Sequence, residues 1–266
     1  MDKTFDITKE RIKKCLAEGK RFDGRKPEEF REVAIEYDIS DKAEGSARVK
    51  IGKTEVIAGV KMDVGEPYSD SPKEGNLIVS AEVLPLCSSR VEIGKPGFDS
   101  LEIARVIDRG LRESGFIDFS GLCIKEGEKV WNAYVDIYTI NDDGNLLDAS
   151  GLAAIAALKS ARIPKYNEET GKADYENLTD KKFPLTSIVP ITISVHKLGN
   201  KFLVDPTREE EDASQTKVII GSSDGIISSM QKGNEESIEI EEMNQMLDLL
   251  EKSWESLHKK VNKQFK

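Results

Sequence analysis

Apolar and polar positions change rhythm several times along this chain, and each change marks a different kind of element. Residues 8–19 predict a short helix, with Thr8 placed to cap its start, Arg11 three positions on, and Gly19 placed to end it. From Arg31 to Leu86 the rhythm is that of strands. Val33-Ala34-Ile35-Glu36-Tyr37, Ala47-Arg48-Val49-Lys50-Ile51, Val56-Ile57-Ala58-Gly59-Val60 and Leu77-Ile78-Val79-Ser80-Ala81 are short and β-branched, with glycine-bearing turns between them. Gly52-Lys53-Thr54 suits a tight hairpin connection. A helix is predicted over 99–114, a strand over 130–140, and a second helix, rich in Ala and Leu, over 146–162.

The stretch 164–187 is polar, carries Pro164 and Pro184, and has little periodicity, so it reads as the connection between two halves. Strands resume at 188–196 and 201–204, and a long helix closes the chain over about 238–264. Its residues Ile240, Met243, Leu247, Leu250, Trp254, Leu257 and Val261 alternate spacings of three and four, giving one apolar stripe. Such a stripe predicts a helix lying on the second sheet; the heptads are too few for a coiled coil. No repeat with the period of a solenoid is present. Strands followed by helices, twice over, predict a layered α+β fold in which helices cover sheets.

At 266 residues the chain is long enough for one large core or two smaller ones. Charged residues make up 33% of it, and Gln is confined to positions 215, 231, 245 and 264, a bias that suits a hot environment. No run approaches the ~18 apolar residues of a membrane span, and the start MDKTFDITKERIKK has no apolar signal core. Cys15, Cys87 and Cys123 form no C-x-x-C pair, and their odd number argues against a disulfide framework, so a cytoplasmic protein is expected. The net charge of −10 disfavours a lone nucleic-acid-binding module. It leaves room for a subunit that meets RNA through a local basic patch while a partner supplies the remaining positive surface.

The densest chemistry lies in Arg21-Phe22-Asp23-Gly24-Arg25, followed by Phe30-Arg31. Three arginines around a glycine turn serve either a buried ion-pair network, the reading favoured by residue type alone, or a polyanion. The order R-x-D-G-R, then R, then strands resembles the opening of RNase PH-type proteins, and RFDGRKPEEFR is most similar to their exosome branch. The resemblance runs from about Arg21 to the C-terminal helix. It implies the RNase PH-like fold, with two βαβα-type halves of the ribosomal S5 domain 2-like kind. On this chain it implies an N-terminal helix in 1–20, a first half over 21–165, a connecting segment over 166–187, and a second half with the C-terminal helix over 188–266.

The same resemblance says what an active member needs. Phosphorolysis cleaves a terminal phosphodiester with inorganic phosphate, so several anionic groups crowd one site and must be held by donors and positive charge. In active RNase PH-like proteins the phosphate sits at the start of a helix written roughly D-A-G-[ST]-R, where hydroxyl, arginine and helix N-terminus act together. The matching segment here is Asp148-Ala149-Ser150-Gly151-Leu152, with Gly151 in place of the hydroxyl and Leu152 in place of the arginine. Active relatives also carry an acidic run, approximately D-L-x-x-x-E-D-x-x-x-x-x-D, whose last aspartate is catalytic. The run here goes from Asp205 through Glu209, Glu210, Glu211 and Asp212, but the final position is Lys217. An ammonium neither coordinates a cation nor replaces a carboxyl in proton transfer. The resemblance therefore implies no catalytic residue, no metal and no cofactor in this chain. By itself, the stretch Asp205 to Asp212 reads as a solvated acidic loop rather than a metal site.

Arg105, Arg109 and Arg112 stand at i, i+4 and i+7 of the 99–114 helix and share one face, apart from the apolar stripe of Ala104, Ile107 and Leu111. Such a ladder either tracks phosphates or pairs with Glu102, Asp108 and Glu113. In exosome-type rings the inactive subunit's arginines on this helix face the active subunit's RNA path, so the resemblance implies RNA contact by Arg105, Arg109 and Arg112. Arg90 and Lys95, in the loop SSRVEIGKPG, are further candidates. No aromatic platform is evident, so the contacts expected are to backbone. His196 and His258 are isolated and read as core or surface residues, while Trp131 and Trp254 read as packing anchors.

What the resemblance implies is a non-catalytic subunit that pairs with a catalytic RNase PH-like exosome subunit. A trimer of such heterodimers would bear S1/KH cap proteins and pass RNA through its channel. Two other functions remain open. An active phosphorolytic 3′-to-5′ exoribonuclease is opposed by Leu152 and Lys217, and a stand-alone RNA-binding protein is opposed by the acidic balance.

Overall fold

The computed structural model describes residues 4–265, apart from the side chains of 176–178. Residues 1–3 of the expected N-terminal segment, and residue 266 at the end of the second half, lie outside the described residues. Helix α1 (Asp6–Ala17) is followed by β1 (Val33–Tyr37), β2 (Gly45–Ile51), β3 (Thr54–Gly65) and β4 (Asn76–Val83). Helix α2 (Phe98–Glu113), a single 3-10 turn at Phe119–Leu122, β5 (Cys123–Lys125), β6 (Lys129–Asn141) and α3 (Leu146–Ser160) complete the first half. These strands form one sheet in the order β1-β2-β3-β6-β4, with β5 also against β6. All pairings are antiparallel except that of β4 with β6. Ile51 faces Thr54 across the β2–β3 turn, and Gly52 adopts φ +59°, so the expected hairpin is present with a two-residue loop.

Hairpin β7 (Arg162–Asn167) and β8 (Lys172–Lys182) comes next, then β9 (Ile191–Leu198), β10 (Lys201–Val204), short helix α4 (Arg208–Ala213), β11 (Thr216–Ser223), β12 (Ile226–Gly233) and helix α5 (Ile240–Val261). The second sheet has the order β10-β9-β11-β12 and is antiparallel throughout. Helix α3 is sandwiched between the two sheets, against β2 and β3 on one side and β9 on the other. Every residue from Leu147 to Leu158 is buried, as a helix apolar on all faces must be. Its small residues allow close approach: a Cβ on Gly45 would come within 2.5 Å of the Ala157 carbonyl oxygen and of Ala161 Cα. Helix α2 packs beside β4 and reaches β12, while α5 covers β9 and β10. The result is the layered α+β arrangement expected from the sequence, with helices covering sheets.

Several expectations need correcting. Helix α1 starts at Asp6, so Thr8 lies inside it instead of capping it, and the acidic residue in the first turn is Asp6. Gly19 does end it, with φ +76°. The stretch 164–187 is not a plain connection. It holds most of a hairpin whose turn is set by Asn167 Oδ1, which accepts from the Glu169 and Thr170 amides, and by Gly171 at φ +67°. Strands β11 and β12 were not anticipated, because their serines, glycines and lysines interrupt the apolar run. On α5 the buried positions are Met246, Leu250, Ser253, Leu257 and Val261, whereas Ile240 is 77% exposed. The expected stripe from Met243 to Val261 does face the core, and Ser253 sits among it, its hydroxyl 3.4 Å from the Glu28 carbonyl oxygen that accepts from it.

Candidate nucleic-acid interface

The arginine cluster and the acidic run prove to be two halves of one network. Asp205, at φ +46° just before Pro206, has no exposed side-chain surface. Its Oδ2 accepts from the Arg31 amide (2.8 Å), Arg31 Nε (2.9 Å) and an Arg25 Nη (2.7 Å); its Oδ1 accepts from the other side of the Arg31 guanidinium (2.7 Å) and from Asn145 Nδ2 (2.8 Å). Burial alone would raise the Asp205 carboxyl, but Arg31, with help from Arg25, holds it below its ordinary range. Arg21 forms a fork with buried Glu210, at 2.9 and 2.5 Å, and donates to the Val204 and Asp205 carbonyls. Asp212 receives both Nη atoms of Arg90 at 2.8 Å, as well as Arg208 and Thr4. The expected solvated acidic loop is thus mostly a buried ion-pair partner. Its charges are needed to neutralise arginines distant in sequence.

The positions that the resemblance equates with the active relatives' chemistry are packed or paired within this chain. Gly151 faces Ile107 and Thr192, whose atoms would lie 3.4 Å from a Cβ, and Leu152 is buried. At the start of α3, the Asn145 amide donates to Glu211 Oε2, an acid of this chain. Asp148 is fully buried and accepts from Ser194 Oγ at 2.8 Å; burial pushes it up to about 7 against that hydrogen bond. Lys217 extends from β11 toward α2, and its Nζ donates to Glu102 Oε2 at 2.9 Å, with Gln231 Nε2 on the other oxygen at 3.3 Å. Both partners are largely buried, with side chains 12% and 8% exposed. Gly233, opposite Lys217 in β12, makes room for the lysine stem: a Cβ there would meet Lys217 Cε at 2.6 Å. His196, buried in β9 beside Ser214 Oγ, is pushed down to about 3 by burial and by the charges of Lys217, Arg208 and Arg21.

On α2 the arginines divide. Arg105, Arg109 and Arg112 are all exposed and line one open cavity of about 330 Å³ together with Val79, Ala104, Asp108 and Glu113. Arg112 is engaged: it pairs with Asp108 at 2.7 Å, donates to the Leu77 carbonyl on β4 at 3.0 Å and lies over the Phe119 ring. The hydrogen bond to Asp108 raises it above its ordinary value. Arg105 and Arg109 form no ion pair among the described residues. Arg90 and exposed Lys95 lie on a separate loop cavity of about 810 Å³, with Arg90 turned toward Asp212. The expected ladder therefore offers two open guanidiniums, Arg105 and Arg109, and one held by its own helix. Sequence reading offered Glu102 as a partner of the ladder arginines and missed Gln231 and Gly233, since nothing in their spacing ties any of the three to Lys217.

These features sit on a chain that belongs to the 3′ exoribonuclease family, the RNase PH family. The model of that family's domain 1 matches residues 29–164, and the model of its domain 2 matches residues 189–252. Among individual relatives, an exosome complex component named Rrp42 from Methanocella arvoryzae is 41% identical across 98% of this chain and 97% of its own length. A solved structure of the Archaeoglobus fulgidus exosome with RNA bound to the active site contains a chain that is 42% identical. It superposes with a TM-score of 0.87 over 96% of this chain and 98% of that one. A chain of an archaeal exosome core is 40% identical, with a TM-score of 0.82 and 96% of both chains covered.

Proposed function

We propose that this protein is the non-catalytic RNase PH-type subunit of an archaeal-type exosome. In this reading it pairs with a catalytic homologue, three such pairs close a ring in the cytoplasm, and S1/KH caps sit on that ring. Its work is to complete the neighbour's active site and to guide RNA 3′ ends toward it through Arg105 and Arg109. One observation carries the proposal. Where active relatives hold their catalytic carboxylate, this chain places an ammonium, Lys217, locked onto Glu102. Buried Leu152 in place of the clamp arginine supports the same conclusion, since an anion there would be desolvated without a donor. Edge strands β4 and β12 leave backbone groups available for pairing with neighbouring subunits.

The test is co-expression with a catalytic homologue. The purified chain alone is expected to release no nucleoside diphosphate from RNA and phosphate, while the complex does. Arg105→Glu/Arg109→Glu in the complex is expected to weaken RNA binding and slow degradation. Phosphate-dependent turnover by the isolated chain would overturn the non-catalytic reading. Unchanged binding and turnover after both charge reversals would overturn the guidance role.

A further inference from the structure

Helix α2 carries acids close enough to neutralise its own arginines. Glu102 stands three residues before Arg105, Asp108 three residues after it, and these are the spacings at which helical side chains meet. Neither acid reaches Arg105. Glu102 is drawn off the helix by Lys217 of β11 at 2.9 Å, with Gln231 of β12 on its second oxygen. Asp108 is taken by Arg112 with two bonds, of 3.2 and 2.7 Å. Arg112 is itself braced by the Leu77 carbonyl and the Phe119 ring. Gly233 keeps the path of the Lys217 stem open.

We propose that Lys217 and Arg112 are positioning residues that hold Glu102 and Asp108 away from Arg105, leaving that guanidinium open to the phosphates of single-stranded RNA. The inference rests on the reading of α2 as an RNA-contacting face and assigns the cause of its availability. Lys217 thereby has a role of its own in RNA binding: it removes a competitor anion through a contact that never touches the RNA. An exposed helical pair between Glu102 and Arg105 is weak. It nonetheless competes directly with each phosphate for the same guanidinium.

The test uses the complex with a catalytic homologue, in phosphate-free buffer so that phosphorolysis cannot proceed. Binding of a fluorescein-labelled single-stranded oligoadenylate is followed by anisotropy across a salt series. Lys217→Met frees Glu102 and is expected to weaken binding about 3- to 5-fold near 0.15 M salt, with the salt slope falling by roughly 0.7, the value of one single-strand phosphate contact. Glu102→Gln alone is expected to leave affinity unchanged or slightly tighter, and Glu102→Gln added to Lys217→Met to restore it. A clamp that merely holds α2 in place behaves differently: Glu102→Gln would then damage binding as much as Lys217→Met, and the double variant would not recover. Either of those results overturns the inference. Should Lys217→Met fail to assemble, Arg112→Leu and its rescue by Asp108→Asn test the same idea on the second acid. Failure of that rescue overturns it. Arg105→Ala/Arg109→Ala separates the levels. If that variant binds normally, the reading of the RNA face itself is wrong. If it binds weakly while Lys217→Met does not, only the sequestration is wrong.

Discussion

Replacing Asp205 by Asn removes a single charge from the centre of the arginine network and little else. Asn has nearly the same shape and accepts the left-handed backbone at φ +46°, which Ala tolerates less well. The carboxylate accepts five hydrogen bonds, three at Oδ2 and two at Oδ1. Whichever way the amide is turned, its NH2 group meets at least two donors that previously met an acceptor. Arg25 and Arg31, with side chains 13% and 10% exposed, keep Asp23 and Asp143 respectively but lose the buried carboxylate they share. Breaking a buried ion pair from one side costs about 3–5 kcal/mol. For a chain of this size, that corresponds to a fall in melting temperature of roughly 6–20 °C. Thermal unfolding followed by circular dichroism at pH 7 measures it, with Asp180→Asn as a control in the exposed Arg162–Asp180 pair. The sign with pH is also fixed. The folded-state value of Asp205 is depressed, so its stabilisation is full above the unfolded carboxylate value near 4 and fades as pH falls through the folded value. The gap between wild type and variant should therefore be widest at neutral pH and narrow in acid. A gap under about 2 °C at pH 7, or one that widens in acid, would refute the reasoning.

Gly45→Ala should lower stability by about 1–3 kcal/mol or more, because the new Cβ strikes backbone atoms of Ala157 and Ala161 that α3 cannot move cheaply. Urea denaturation gives the value, and an unchanged midpoint would mean that α3 is less tightly wedged than its contacts indicate. His196, held at about 3, should remain neutral across the physiological range, its imidazole resonances showing no midpoint between pH 8 and pH 5 in an NMR titration. Since its folded value lies below the unfolded one near 6.5, the stability this depression contributes is present above that pH. It is lost as pH falls from about 6.5 toward 3, so a titration midpoint near 6.5 would contradict its burial.

Much of the first half could be read from the residues, because its elements advertise themselves locally. β1 is a bare β-branched run of alternating burial, the β2–β3 turn needs the positive φ that Gly52 supplies, and α3 is an Ala- and Leu-rich run. The second half was less legible. Gly221, Ser222, Ser228 and Ser229 accommodate a bulge and the packing against Gly110 of α2, so β11 and β12 lack the plain apolar signature of strands. The stripe on α5 was legible from Met243 to Val261, whereas the exposure of Ile240 and the burial of Ser253, which donates to the Glu28 carbonyl, were not. At the site, Gly151, Leu152 and Lys217 stood out as residue types, since none of them supplies what the resemblance asks of a phosphorolytic site. The fate of the acidic run was hidden. Its burial depends on arginines more than 170 positions away, and no local pattern records a partner at that distance. On α2 the pairing of Arg112 with Asp108 was among the sequence's open alternatives, whereas the diversion of Glu102 to Lys217 was invisible, because that lysine stands on the second sheet.

The arginine arm also sets a timetable for synthesis. Arg31 and Asp205 are 174 residues apart, and Arg21 and Glu210 are 189 apart. At ordinary translation rates the carboxylates emerge on the order of tens of seconds after the guanidiniums they neutralise. The nascent first half therefore waits with an unlatched cationic strap, and docking of that strap is coupled to production of the α4 segment.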